Sequence, residues 1–350
     1  MLGKQMKAAI LAVQHQPLVI DDVEIPQELS IGQVLVRVCY SSICGSQIGE
    51  IQGVKGADPY LPHLLGHEGS GVVEAIGPGV SLVAVGDHVV MAAKDGDGIR
   101  SNVPQYRWRG GGLNAGWVTT FNEYAVVSES RLTPIPKDVD LKIAPLLGCA
   151  ILTGFGAVEN TVQPKIGESV VVFGVGGVGL SVVQAAGLVS AHPIIAVDLS
   201  KSKLQLATRL GATLGVEATK QDPRDVIYEV LGDAGADHTI VCTENLEALE
   251  TAYEVTKTNG QTIFLGLPSS KGHVSLPVLP LHYGRIVTGS LIGESQPSEA
   301  IPRYTRLIDA GELQLKEMIT DTFSLEEINQ AVDKMIQGTI DGRCLIEVNP

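Results

Sequence analysis

The chain has 350 residues, of which 44% are hydrophobic and 18% are charged, so it can bury one large core or two moderate ones. Its 39 Asp and Glu residues outnumber its 25 Lys and Arg residues, which gives a formal net charge of −14. Because this charge repels phosphate backbones and anionic lipid surfaces, neither nucleic acid nor a membrane is expected as a partner.

Strand-like segments dominate the first 150 residues, and they are separated by Gly, Pro, Asn and Asp. Helical periodicity is scarce in this region, so an all-β domain is expected. The clearest segments are Gln33 to Tyr40, Gly71 to Ile76, Asp87 to Met91 and Asn122 to Val127.

From about Glu168 the pattern changes to alternating strands and helices, which predicts a doubly wound parallel sheet. Strands are predicted at 170–173, 194–198, 238–243 and 261–267, with helices at 178–189, 201–210, 222–231 and 245–257. The uncharged run from Ser169 to Val197 is long enough to span a bilayer, but its glycines and Pro193 divide it into strand, turn, helix and strand.

The alternation ends after Arg285. The last part of the chain is predicted to hold a β-rich run at 286–292, helices at 298–310 and 325–337, and a final strand at 343–348. A closing strand this far from the α/β region could return to the first domain.

A glycine-rich loop follows the first predicted strand of the α/β region and opens a helix, in the arrangement G-x-G-x-x-G. Such a loop lets the main chain approach a pyrophosphate at a helix N-terminus. Asp198 ends the next strand, where a carboxylate can accept hydrogen bonds from a ribose and repel a 2′-phosphate, which favours NAD over NADP. Lys203 could flank a phosphate, and the alternative is a purely structural turn. The loop residues are Gly174, Gly176, Gly177, Val178 and Gly179.

Three potential metal ligands lie next to glycines, namely Cys44, His67 and Cys149. Taken singly, each is weak, because an isolated Cys is usually a small buried hydrophobic residue. The segment from Gly66 to Val80, however, resembles the zinc signature of the medium-chain alcohol dehydrogenases, and the resemblance runs along nearly the whole chain. It implies a GroES-like, mainly β catalytic domain at 1–155 and 294–350, with a Rossmann NAD-binding domain inserted at 156–293.

The resemblance also implies roles for individual residues. Cys44, His67 and Cys149 should bind one catalytic zinc, and the Cys₂His ligand set is the one known for alcohol dehydrogenase. Glu68 should lie behind the metal and be able to enter its shell. Ser46 should pass the alcohol proton outward. Two further residues should contact the cofactor, Thr153 at the nicotinamide and Arg343 at the pyrophosphate.

The chain departs from the family pattern at several positions. The stretch 92–119 contains no cysteine, so no structural zinc is expected. Gln47 replaces an Asp that orients the ligand His, and Gly49 replaces a His that completes the proton relay, so the relay should end at Glu50 or water. Ala92 and Ala93 replace bulky residues over the substrate. With Arg107 or Arg109 as an anchor, this predicts room for a hydroxyl-rich or anionic substrate.

The favoured interpretation is a zinc- and NAD-dependent oxidoreductase that interconverts a polar, sugar- or polyol-like alcohol and its carbonyl compound. The alternatives are a zinc-free, NADPH-dependent quinone or enone reductase of the same superfamily and a non-catalytic NAD-binding protein. The resemblance implies a homodimer or homotetramer. Five cysteines without a C-x-x-C pair and a start without a secretory signal favour thiols in the cytoplasm.

Overall fold

The computed structural model describes residues 1–349, and these form two compact units. Unit 1 comprises Met1–Cys149 and the chain from Gln296 onward, and unit 2 comprises Ala150–Ser295. The sequence analysis places these boundaries after residues 155 and 293. The first boundary differs because a helix that starts directly after Cys149 packs against the first long helix of unit 2.

The strands form three sheets within the described part of the chain. Their bounds are β1 Gln5–Leu11, β2 Val19–Glu24, β3 Gln33–Ser42, β4 His63–Leu64, β5 Gly69–Ile76, β6 His88–Met91, β7 Tyr106–Trp108, β8 Gly111–Leu113, β9 Tyr124–Ser128, β10 Leu132–Ile135, β11 Val170–Phe173, β12 Ile194–Asp198, β13 Leu214–Glu217, β14 Ala236–Val241, β15 Thr256–Phe264, β16 Ile286–Gly289, β17 Ile319–Ser324 and β18 Arg343–Glu347.

The α-helices are mostly short. Their bounds are α1 Gly45–Ile51, α2 Ala150–Gly156, α3 Gly177–Leu188, α4 Lys201–Arg209, α5 Pro223–Leu231, α6 Leu246–Glu254, α7 Leu279–His282, α8 Pro297–Asp309, α9 Leu315–Met318 and α10 Ile328–Ile336. A wider π-helical segment, Ala157–Val162, continues α2. Single 3₁₀ turns precede Cys149 and α10.

Unit 1 contains two sheets, with strand orders β4-β1-β2-β7-β8 and β10-β6-β5-β3-β18-β17, and β9 pairs with β3. The strands predicted in this region are confirmed, with ends that differ by at most a few residues. The final strand β18 pairs antiparallel with β3, so its predicted return to the first domain is confirmed. The all-β expectation was wrong at α1, because seven residues are too few to show helical periodicity.

Unit 2 is a parallel sheet with strand order β13-β12-β11-β14-β15-β16, as predicted for a doubly wound fold. Its central strand β11 is buried along its whole length, because helices cover both faces of such a sheet. The sequence analysis missed β13, a four-residue strand. Gly211 follows α4 with φ +117°, a left-handed conformation that suits glycine and ends the helix.

The uncharged run is divided as predicted into β11, α3 and β12. Across residues 1–349 no helix combines the length and the apolar character needed to cross a bilayer. The β-rich run predicted at 286–292 is shorter than expected. Strand β16 ends at Gly289, and Ile292, Gly293 and Glu294 then turn the chain with φ values of 52°, 64° and 51°, which are incompatible with a strand.

Candidate active site

Three turns of unit 1 carry the predicted metal ligands. Cys44 follows β3 and begins α1, and its N–H donates to Gln47 Oε1 at 3.1 Å. His67 lies in the short connection between β4 and β5. Cys149 follows a 3₁₀ turn in which an added Cβ at Gly148 would lie 2.4 Å from a main-chain oxygen, so only glycine fits. Each ligand is therefore placed by main-chain geometry, and Gln47, expected beside the imidazole, uses this oxygen to position Cys44.

The structure brings Cys44, His67 and Cys149 into one cluster in which the potential ligand atoms all lie within 4.8 Å of one another. The two Sγ atoms are 4.0 Å apart. Two sulfurs at the usual zinc distance and tetrahedral angle lie about 3.8 Å apart. The Nε2 atom of His67 is buried and has no hydrogen-bond partner. This set of donors and its spacing fit a zinc ion.

The charges of these three side chains depend on one another. The neighbouring Cys149 thiol and then His67 lower the pKa of Cys44 well below the ordinary value. The Cys44 sulfur and burial raise the pKa of Cys149 well above it. Burial lowers the pKa of His67, but Cys44 outweighs this effect and the net shift is upward. Without a metal the site thus favours one thiolate and one thiol, whereas a divalent cation stabilises two thiolates.

Glu68, which follows His67 in the chain, and Arg343 form a buried ion pair. Arg343 also donates to Ser42 Oγ at 2.7 Å. Burial raises the pKa of Glu68 to about 7 although Arg343 opposes this shift. Glu68 is not part of the three-residue cluster, and its Oε2 is buried without a partner. The family resemblance implies that Arg343 contacts the cofactor pyrophosphate. In the structure Arg343 lies within unit 1, where it pairs with Glu68.

The predicted nucleotide loop lies in unit 2 between β11 and α3. An added Cβ at Gly179 would lie 2.0 Å from the Gly174 oxygen, so the helix and the strand pack in contact. At Gly176, in contrast, an added Cβ meets nothing within 4 Å. The loop therefore presents open main chain at the start of a twelve-residue helix, where a pyrophosphate fits.

Asp198, at the end of β12, accepts the Val175 N–H at 2.8 Å and the Ser200 N–H at 3.0 Å. The carboxylate thus lies beside the loop, as predicted. Lys203 belongs to α4, where its N–H donates to the capping Ser200. Thr153 is a buried residue of α2.

The structure shows partners for one proposed anchor and a second polar cluster. Arg109, a proposed substrate anchor, pairs with Asp21, with a nitrogen to oxygen distance of 2.8 Å, and stacks on Trp108. Conversely, sequence reasoning missed a second cluster formed by Glu50, Asp58 and His63. Glu50 was singled out only as a possible end of the proton relay, and the spacing of the other two residues shows no pattern.

Comparison with known proteins gives matches over most of the chain. A family model for an alcohol dehydrogenase GroES-like domain matches residues 30–137, and one for a zinc-binding dehydrogenase matches residues 177–310. An S-(hydroxymethyl)glutathione dehydrogenase of Synechocystis sp. is 32% identical over 362 residues, which cover 95% of this chain and 97% of the relative.

Two crystal structures are similar over nearly the full length. An alcohol dehydrogenase zinc-binding domain protein from Burkholderia ambifaria has 29% identity and a TM-score of 0.90, covering 98% of this chain and 99% of that one. A benzyl alcohol dehydrogenase from Acinetobacter calcoaceticus has 28% identity and a TM-score of 0.89, covering 99% of both chains. The chain therefore belongs to the zinc-dependent alcohol dehydrogenase family of the medium-chain dehydrogenase/reductase superfamily.

Proposed function

We propose that this protein is an NAD- and zinc-dependent oxidoreductase that interconverts a polar, sugar- or polyol-like alcohol and its carbonyl compound. The observation that carries this proposal is the cluster of Cys44, His67 and Cys149, in which the buried His67 Nε2 has no hydrogen-bond partner in the described part of the chain. A zinc-free reductase does not require two sulfurs and a buried, unpartnered imidazole nitrogen at this spacing.

Zinc, when bound, supplies a Lewis acid that lowers the pKa of an alcohol, and NAD supplies the acceptor for hydride. Cys44, His67 and Cys149 would hold the metal, and the charges of two thiolates balance the charge of the ion. Glu68 and Arg343 balance each other behind it. We infer that Ser46, half-buried near the start of α1, takes the alcohol proton.

The preference for NAD over NADP is proposed from Asp198. Its carboxylate lies at the end of β12 beside the glycine loop, and a negative charge there repels the 2′-phosphate of NADP. The neighbouring Leu199 is 67% exposed and supplies no positive charge to attract that phosphate.

The substrate class is proposed from small side chains close to a metal ligand. The Ala93 N–H donates to the Gly148 oxygen at 3.0 Å, directly before Cys149. A methyl group at this position leaves more room than the bulky residue of many relatives. With Arg109 bound to Asp21, only Arg107, which is exposed, stays as a proposed anchor for a polar or anionic group.

A homodimer or homotetramer is proposed from the edge of the unit 2 sheet. Strand β16 is the last strand in that sheet, and large apolar side chains near it are exposed. Pairing of this edge with a second copy would cover them and would satisfy the free main-chain groups of the strand. Sedimentation at micromolar concentration should show an oligomer, and a monomer would contradict the proposal. The exposed apolar side chains near β16 are Leu267, Val278, Leu279, Tyr283, Ile286 and Leu291.

One experiment tests the activity. Protein purified without chelator should contain one zinc per chain and should reduce NAD, in preference to NADP, with at least one member of a panel of sugars, polyols, aromatic alcohols and aliphatic alcohols. Cys149→Ala should remove zinc and turnover while NAD affinity stays within several-fold. Cys242→Ala, outside the cluster, is the control and should keep both. Full activity in a zinc-free Cys149→Ala protein would disprove the assignment.

A further inference from the structure

We propose that the proton released during alcohol oxidation leaves through Ser46 and Glu50 to His63, which is paired with Asp58. This inference rests on the proposed function and names the end of its proton path. The observation behind it is the second cluster of unit 1, in which one side-chain N or O atom from each of Glu50, Asp58 and His63 lies within 4.8 Å of the other two. We refer to these three residues as the outer cluster.

The outer cluster lies at the far ends of the two segments that carry Cys44 and His67. Glu50 is near the end of α1, which begins at Cys44. His63 is in β4, which leads into His67. Gln14 joins the two segments, since its Nε2 donates to the Glu50 oxygen at 3.2 Å and its Oε1 accepts the Asp58 N–H at 3.1 Å. The position of the outer cluster relative to the ligand segments is therefore held by hydrogen bonds.

His63 is arranged to hold and release a proton. It is 7% exposed, and its two ring nitrogens both face oxygen acceptors. Nδ1 lies 2.9 Å from the Leu64 carbonyl oxygen, so it must carry a hydrogen. Nε2 lies 2.9 Å from Asp58 Oδ2, and a bond there requires a second proton, shared by the ring and the carboxyl group. Imidazole is the side chain that ordinarily exchanges such a proton near neutral pH.

The face of α1 links Ser46 to this pair. Residues four apart on an α-helix lie on one face and are separated by about 6 Å along the axis, so Ser46 and Glu50 are neighbours. One water molecule that bonds to both side chains spans about that distance. Gly49, also on this face, carries no side chain, and an added Cβ would meet only Val54, at 3.7 Å. Both Ser46 and Glu50 are half-buried, so water can enter this route.

The other titratable groups near the outer cluster lie toward solvent. His15, from the loop after β1, packs beside Gly53 and is exposed. Tyr60 is 68% exposed, and its N–H donates to Asp58 Oδ1 at 2.8 Å. Neither residue belongs to the outer cluster, so the proposed route passes through the pair of Asp58 and His63 to bulk water.

Every bond, electron pair and proton of the proposed step is accounted for. The C–H bond of the alcohol breaks and its electron pair leaves with the hydrogen to NAD, which becomes NADH. The O–H proton passes to Ser46 Oγ while the Ser46 proton moves through water to Glu50. The pair of His63 and Asp58 gives up its shared proton to solvent and takes up the proton from Glu50, so the path is ready for the next turnover. Carbonyl reduction uses the same path in reverse.

The test measures alcohol oxidation by the zinc-loaded enzyme across pH and buffer concentration. His63→Gln should lower kcat/KM near pH 7 by about 10- to 100-fold, and the remaining rate should rise with buffer concentration because buffer replaces the lost acceptor. Glu50→Gln, at a half-buried position that tolerates the change, should show the same buffer dependence. His15→Gln is the matched control and should keep the pH profile of the wild type. Zinc content and NAD affinity should be unchanged in all three variants.

Rescue separates proton transfer from a merely structural role. Gly49→His in the His63→Gln background places an imidazole on the relay face of α1, and it should restore most of the rate and remove the buffer dependence. An unchanged pH profile without buffer dependence in His63→Gln and Glu50→Gln would overturn the relay while the proposed function stands. A second zinc that His63→Gln removes would also overturn it, because a metal-bound imidazole cannot accept the proton. A wild-type protein without dehydrogenase activity would overturn both proposals.

Discussion

Glu68 and Arg343 form an ion pair whose side chains are 0% and 5% exposed, although the two residues are 275 positions apart in the chain. The pair joins the signature segment that follows His67 to the final strand β18. Glu68 Oε2 and Arg343 Nε have no hydrogen-bond partner among residues 1–349. Each buried charge is therefore stabilised mainly by the other.

Removing one member of this buried pair should lower the free energy of unfolding far more than removing an exposed pair. Arg343→Met leaves a carboxyl group unpaired in the interior and should lower the free energy of unfolding by about 3–5 kcal/mol. The double variant Arg343→Met with Glu68→Gln should recover part of that loss. Arg37→Met, which removes an exposed pair with Glu74, is the control and should cost at most about 1 kcal/mol. Urea unfolding measures all of these values, and equal losses for Arg343→Met and Arg37→Met would contradict the assignment.

Zinc binding should release protons, and its strength should depend on pH. The pKa of Cys149 is raised well above the ordinary value, so this residue is a thiol at pH 7 in the metal-free protein. Zinc binds the thiolate, and the proton must leave. Apparent zinc affinity should therefore fall by about tenfold for each unit decrease in pH per proton released. Calorimetry in buffers with different ionisation enthalpies counts these protons, and a count of zero at pH 7 would contradict the charge assignment.

Two glycines of the nucleotide loop should respond differently to alanine. Gly179→Ala places a Cβ 2.0 Å from the Gly174 oxygen, so it should destabilise unit 2. Gly176→Ala meets no protein atom within 4 Å and should leave the melting temperature nearly unchanged. If a pyrophosphate approaches Gly176, that variant should nevertheless bind NAD at least about tenfold more weakly. Calorimetric melting measures the stability of both variants, and titration measures their NAD affinity. Unchanged NAD affinity in Gly176→Ala would show that the cofactor does not approach Gly176.

Cofactor preference should move with the charge at the end of β12. Asp198→Ala combined with Leu199→Arg removes the negative charge and adds a positive one at an exposed position. The ratio of kcat/KM for NADP to that for NAD should rise by at least about 100-fold, because each change favours the 2′-phosphate. NAD binding should also weaken, since Asp198 accepts the Val175 N–H of the loop. The control is Leu199→Gln. An unchanged ratio of kcat/KM values in the double variant would show that Asp198 does not distinguish the ribose of NAD from the phosphorylated ribose of NADP.

The stability of unit 2 should depend on Asp237 only above strongly acidic pH. Burial raises the pKa of this carboxyl group, but Lys257 and Ser169 outweigh burial and lower it to about 2. Because the folded-state pKa lies below the ordinary 3.8, the stabilisation is complete above about pH 4 and is lost as pH falls toward 2. Asp237→Asn should cost about 1–2 kcal/mol after allowance for solvent screening. The difference from wild type should be constant from pH 6 to pH 8 in urea unfolding, and a difference that grows with acid would contradict this sign.

Local pattern was enough for much of the fold because the signals lie within one element or one turn. The β-branched run of β11, the glycines after it and Asp198 lie close together in sequence, and each constrains main-chain geometry directly. The same holds for the stop of α4 at Gly211. The four-residue β13, which lacks the β-branched run of β11, and the seven-residue α1 carried too few side chains to show a period.

The sequence by itself pointed to Cys44, His67 and Cys149 as the residues that carry the chemistry, because the segment around His67 resembles the zinc signature of the medium-chain alcohol dehydrogenases. Only the tertiary structure decided which polar side chains meet. The pairing of Arg343 with Glu68, the engagement of Arg109 by Asp21 and the outer cluster all join positions from different elements. Side chains that are distant in sequence find each other through burial and strand pairing, and no local pattern encodes those contacts.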